Sequence, residues 1–87
     1  MTAALRARIR AFLEGEPPAG LGYVPDSIAE RILRLAAAGE PLDDEMEELL
    51  DLCVLETRDA AERRTGAVRD YLEGSAALLE AIAAERG

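Results

Sequence analysis

The chain has 87 residues, which is enough for one domain spanning residues 1–87. Ala, Leu, Glu and Arg predominate and aromatic residues make up only 3%, so the composition predicts an all-α protein. The formal net charge of −8 opposes direct binding to nucleic-acid phosphates and to anionic lipids.

Nothing at the N-terminus combines a long apolar core with a small-residue cleavage site, so we expect no signal peptide. No apolar run approaches the ~18 residues that a membrane span needs. Cys53 is the only cysteine, so an intramolecular disulfide is impossible. We therefore expect a cytoplasmic protein.

Two short helices are predicted in the first half of the chain. Apolar residues recur at helical spacing over residues 2–14. The Pro- and Gly-rich residues 15–26 then predict a loop. Ser27-x-x-Glu30 has the form of a capping box, which predicts a second helix over residues 27–38.

The spacing of charges predicts two ion pairs on helix surfaces. Glu30 and Arg34 are four residues apart in the favoured order, and Asp59 and Arg63 have the same spacing. Both pairs are expected to face solvent, where they support the helix that carries them.

One apolar face runs through the C-terminal half. At ~100° per residue, most apolar side chains from Met46 to Ile82 fall on one side of a single helix, and the glycines between them fall off it. We therefore predict one long third helix over residues 43–85, continuous or mildly kinked. A break near residues 65–66 would divide it in two.

Leu52 and Leu55 point away from that face, so one stretch of the helix is apolar on two sides. A chain this small has little apolar surface left to cover them, which predicts a homodimer formed through the long helix. The expected interface residues are Met46, Leu49, Leu50, Leu52, Cys53 and Leu55. We expect a small interaction module, such as an adaptor, a regulator or an assembly subunit, with no cofactor and an unidentified protein partner.

Four carboxylates suggest an alternative enzymatic function. Glu45-x-x-Glu48 followed by Glu56-x-x-Asp59 is similar to the paired acidic motifs of the all-α nucleotide pyrophosphohydrolases. The resemblance implies Mg²⁺ held on a nucleotide triphosphate. On one helix, however, the two pairs share a face but lie ~16 Å apart along the axis. Only an antiparallel dimer would bring them together.

A second alternative is a carrier function. Asp26-Ser27-Ile28 resembles the site at which acyl carrier proteins accept phosphopantetheine, and residues 67–72 are similar to the last helix of those carriers. The resemblance implies modification at Ser27. A helix cap accounts for the same serine without a cofactor.

The densest charge in the chain is a run of seven carboxylates between Glu40 and Asp51. Several of them share one helical face, and those in the first turn complement the helix dipole. Such a run is typical of a solvated helix face. The alternative is a face that binds a hard cation such as Mg²⁺ through the oxygens of Asp44, Glu47, Glu48 and Asp51. A further alternative for the acidic chain as a whole is a mimic of nucleic acid that occupies a basic groove on another protein.

Overall fold

The computed structural model describes residues 1–21 and 27–86, and it shows four α-helices in them: α1 (Ala3–Glu14), α2 (Ile28–Ala38), α3 (Asp44–Glu62) and α4 (Gly66–Arg86). The described residues contain no strand, which confirms the all-α prediction. None of these four helices is both long enough and apolar enough to cross a membrane. The part of the predicted loop at residues 22–26 lies outside the described residues.

The prediction of one long C-terminal helix is wrong, and the break named as its alternative is present. α3 ends at Glu62 and α4 begins at Gly66, whose φ of +64° is a left-handed conformation that a continuous right-handed helix cannot contain. The short connection lets α4 fold back against α3, and these two helices form the most extensive helix pair. Both helices turn their apolar sides to one core, which explains why the apolar residues keep their helical spacing across the turn.

The ends of the first three helices follow local capping rules. Thr2, Ser27 and Asp43 precede α1, α2 and α3, and each side-chain oxygen accepts the backbone N–H three residues later, at 3.1, 3.2 and 2.8 Å. α2 ends at Gly39, whose φ is +75°, in the hydrogen-bond pattern of a Schellman motif. The predicted ends of the two short helices are therefore correct to within one residue.

One hydrophobic core is shared by all four helices. Ile9 from α1, Ile32 from α2, and Leu79 and Ile82 from α4 are its most deeply buried large side chains. α3 adds Met46 and Leu50. The buried core residues are Leu5, Ile9, Ile32, Leu33, Ala36, Ala37, Met46, Leu50, Leu78, Leu79 and Ile82.

Both predicted ion pairs are present. Arg34 Nη2 lies 2.7 Å from Glu30 Oε1, and Arg63 Nη2 lies 3.2 Å from Asp59 Oδ2. Because these side chains are largely exposed, each pair contributes little to the stability of the fold.

Candidate docking surface

The predicted interface residues divide between the interior and the surface. Met46 and Leu50 are buried in the core of the single chain. Leu49 and Cys53 are half-buried on the side of α3 that faces the start of α2. Met46 and Leu50 therefore pack within the single chain, and Leu49 and Cys53 are only partly accessible to a partner.

Leu52 and Leu55 are exposed, as their position on the helix predicts. They retain 47% and 65% of their accessible surface. Carboxylates surround them, because exposed acidic residues of α3 occupy the same ~100° arc of the helix. We call this surface the α3 outer face, and it consists of Glu48, Asp51, Leu52, Leu55, Asp59 and Glu62.

An apolar groove with a volume of about 550 Å³ lies beside the α3 outer face. All four helices and the segment after α1 contribute to it, and its wall is predominantly apolar. Leu52 belongs to both surfaces, since it forms one lip of the groove. We define the apolar groove by the residues Phe12, Leu13, Leu21, Ile28, Leu33, Leu49, Leu52, Cys53, Tyr71 and Leu72.

The end of the groove near α1 is built around two aromatic rings. Phe12 stacks on Tyr71 with 4.8 Å between ring centroids and 29° between ring planes. The Phe12 ring also packs against Gly74, where an added Cβ would lie 3.4 Å from Phe12 Cε2, at van der Waals contact distance. Arg64 donates a hydrogen bond to the carbonyl oxygen of Gly20 and so ties the α3–α4 turn to the segment after α1. The stacked rings and this hydrogen bond therefore both fix the end of the groove near α1.

The titratable groups of the groove carry negative charge or none. Burial raises the pKa of the Cys53 thiol, and the nearby Glu56 carboxylate raises it further. Burial also raises the pKa of Tyr71, with a further contribution from Glu30. Cys53 is consequently a protonated thiol near neutral pH, where it reacts more slowly than an ordinary cysteine thiolate.

The four carboxylates of the suggested magnesium site all lie exposed on α3. Glu45 and Glu48 are separated from Glu56 and Asp59 by the ~16 Å that the helix rise requires. Asp59 is paired with Arg63. Among residues 1–21 and 27–86, no three His, Cys, Asp or Glu side chains are placed to hold a metal ion together.

Ser27, the residue that the carrier resemblance singles out, is engaged in helix capping. Its hydroxyl oxygen accepts the backbone N–H of Glu30 at the start of α2. The side chain is half-buried at the mouth of the groove. Asp26, the preceding residue of that motif, lies outside the described residues.

The groove cannot be predicted from the spacing of residues in the sequence. The helical spacing places Tyr71 and Leu72 on the apolar face of one long helix. The turn before Gly66 instead brings both residues to the groove, where Tyr71 contacts Phe12 of α1. The available signal was Gly74, a glycine inside a helical pattern, where close approach of another side chain is a common reason for its presence. The approaching residue, Phe12, lies too far away in the sequence to be identified from spacing.

Comparison of the chain with protein-family models, with curated proteins and with solved structures finds no match in any of the three.

Proposed function

We propose that the protein is a small helical protein–protein interaction module that self-associates through the α3 outer face. The exposure of Leu52 and Leu55, one turn apart on the same side of α3, is the observation that carries this proposal. Burial of a leucine side chain contributes roughly 1.5–3 kcal/mol. Two such side chains from each copy would form the apolar centre of a helix–helix contact.

The carboxylates around the two leucines make the strength of this contact depend on ionic strength. If two copies of α3 pair antiparallel about the midpoint of Leu52 and Leu55, Glu48 of one copy lies opposite Asp59 of the other. These like charges repel, and the net charge of −8 on each chain adds to the repulsion. Dissolved salt screens such repulsion between exposed groups. Self-association is therefore expected to strengthen as ionic strength increases.

Light scattering at micromolar concentration tests the proposal. We expect the parent protein to be a dimer and the Leu55→Glu variant to be a monomer with unchanged helical circular dichroism, since Leu55 is the more exposed leucine. The matched control is Ala7→Glu, which adds the same charge at an exposed position of α1, outside the α3 outer face. A parent that is monomeric at both low and high salt would contradict self-association.

A partner with a basic surface is the second candidate for the α3 outer face. Glu48, Asp51, Asp59 and Glu62 favour it, because they would attract the charges that a second copy repels. The nucleic-acid-mimic alternative belongs to this class. Salt separates the two candidates, since binding of a basic partner weakens with added salt while self-association strengthens.

A further inference from the structure

We propose that the apolar groove binds an amphipathic helix of another protein, with the apolar side of that helix in the groove and basic residues along its margins. This site overlaps the contact between copies at Leu52 but not at Leu55, which takes no part in the groove.

The shape of the groove favours a helix over a small ligand. A volume of about 550 Å³ falls within the range of both kinds of site. Two side chains that form lips of the groove, Ile28 on α2 and Leu52 on α3, nevertheless remain 37% and 47% exposed. A small ligand would cover only the sides of these lips that face the cavity. A helix inserts one row of side chains and covers both lips with its neighbouring residues.

The charges at the groove favour basic margins on that helix. Among the described residues, Glu30 and Glu56 line the groove and no Arg side chain does. Glu30 shares its charge with Arg34, whereas Glu56 forms no ion pair within the described part of the chain. Lys or Arg beside the apolar face of the incoming helix would meet these carboxylates, and an acidic helix would be repelled.

The test uses a synthetic helix of about 18 residues, or five turns, with Leu on one face, Lys on the other and one Trp among the leucines. The protein has no Trp, so the fluorescence reports the peptide alone. Cys53 is the only cysteine and lines the groove, so its alkylation rate reports occupancy. We expect saturable binding, a blue-shifted emission and several-fold slower alkylation.

Charge-matched variants separate groove binding from general attraction to an acidic protein. Glu30→Gln with Glu56→Gln should weaken peptide binding about threefold to tenfold, as expected for two exposed ion pairs. Glu40→Gln with Asp44→Asn removes the same charge at exposed positions outside the groove and should change binding less than about twofold. A peptide of the same composition with its leucines scattered around the helix should not bind.

Three results with the peptide would overturn the proposal. They are absence of binding, equal weakening by the two double variants, and alkylation of Cys53 that is unaffected by the peptide. A thiol already protected in the free protein would also overturn it, since the groove would then be closed by the chain itself. Measuring peptide binding on the monomeric Leu55→Glu variant keeps this outcome separate from any failure of self-association.

Discussion

Partial burial next to carboxylates changes the pKa of two single residues, Cys53 and Tyr71. Both have a raised pKa, mainly because burial disfavours the charged form. The unfolded chain therefore releases the Cys53 proton at a lower pH than the folded chain does. The contribution of the Cys53 thiol to the free energy of unfolding is therefore fully present below the unfolded pKa of about 8.5, and it decreases as the pH rises above that value.

Urea unfolding at about pH 7 and about pH 9.5 measures this effect, since the lower value leaves the thiol protonated in both states and the higher one ionises it in the unfolded chain. We expect the parent to lose stability between the two values. Cys53→Ala removes the titrating group and should lose less over the same interval, with Tyr71 contributing only at still higher pH. A variant that loses as much as its parent would show that the thiol does not control this dependence.

At the scale of the element, α4 contains two glycines that serve opposite purposes. Gly66 begins the helix at a φ of +64°, where an L side chain costs roughly 1–2 kcal/mol, so Gly66→Ala should destabilise the protein by about that amount. Gly74 lies inside the helix, where alanine gains up to about 1 kcal/mol of helix propensity. Its new methyl group would touch Phe12 at 3.4 Å, an ordinary contact.

Gly74→Ala is therefore expected to raise the free energy of unfolding slightly, while the same substitution at Gly66 lowers it. Chemical denaturation of both variants beside the parent measures the difference. Loss of stability in both variants would mean that the Phe12 ring has no room to adjust.

The acidic start of α3 gives a second prediction about an element. Glu45 and Glu48 are exposed and lie among many like charges, so replacing both with Ala should leave folding intact and relieve some repulsion. We expect millimolar Mg²⁺ to leave the melting temperatures of parent and variant unchanged. An increase confined to the parent would instead indicate a bound ion, by mass action, and would restore the hydrolase alternative.

For the whole molecule, the sequence predicted what depends on neighbouring residues and missed what depends on distant ones. The ends of α1 and α2 follow from caps such as Ser27 and from Gly39, which act within one turn of the helix. The break between α3 and α4 is only the alternative in the sequence-based prediction, because the apolar residues keep their helical spacing across Gly66. The groove was missed because it forms only when α1 packs against α4 and Phe12 reaches Tyr71.

The assembly of the molecule is open to a test that follows from its charge. If the α3 outer face pairs with itself, apolar burial of Leu52 and Leu55 favours the dimer, and repulsion between flanking carboxylates opposes it. Only the repulsion is screened strongly by salt, because the Debye length falls from about 30 Å at 0.01 M to about 8 Å at 0.15 M ionic strength. The dimer dissociation constant should therefore decrease over this range.

Analytical ultracentrifugation at several ionic strengths measures that constant. Glu48→Gln with Asp59→Gln should make the dimer tighter at low salt and reduce its salt dependence, because the two positions oppose each other in the antiparallel pairing. Asp70→Asn with Glu73→Gln is the control, since both lie exposed on α4. A dimer that weakens with added salt would contradict the expected repulsion between the carboxylates of the two α3 outer faces.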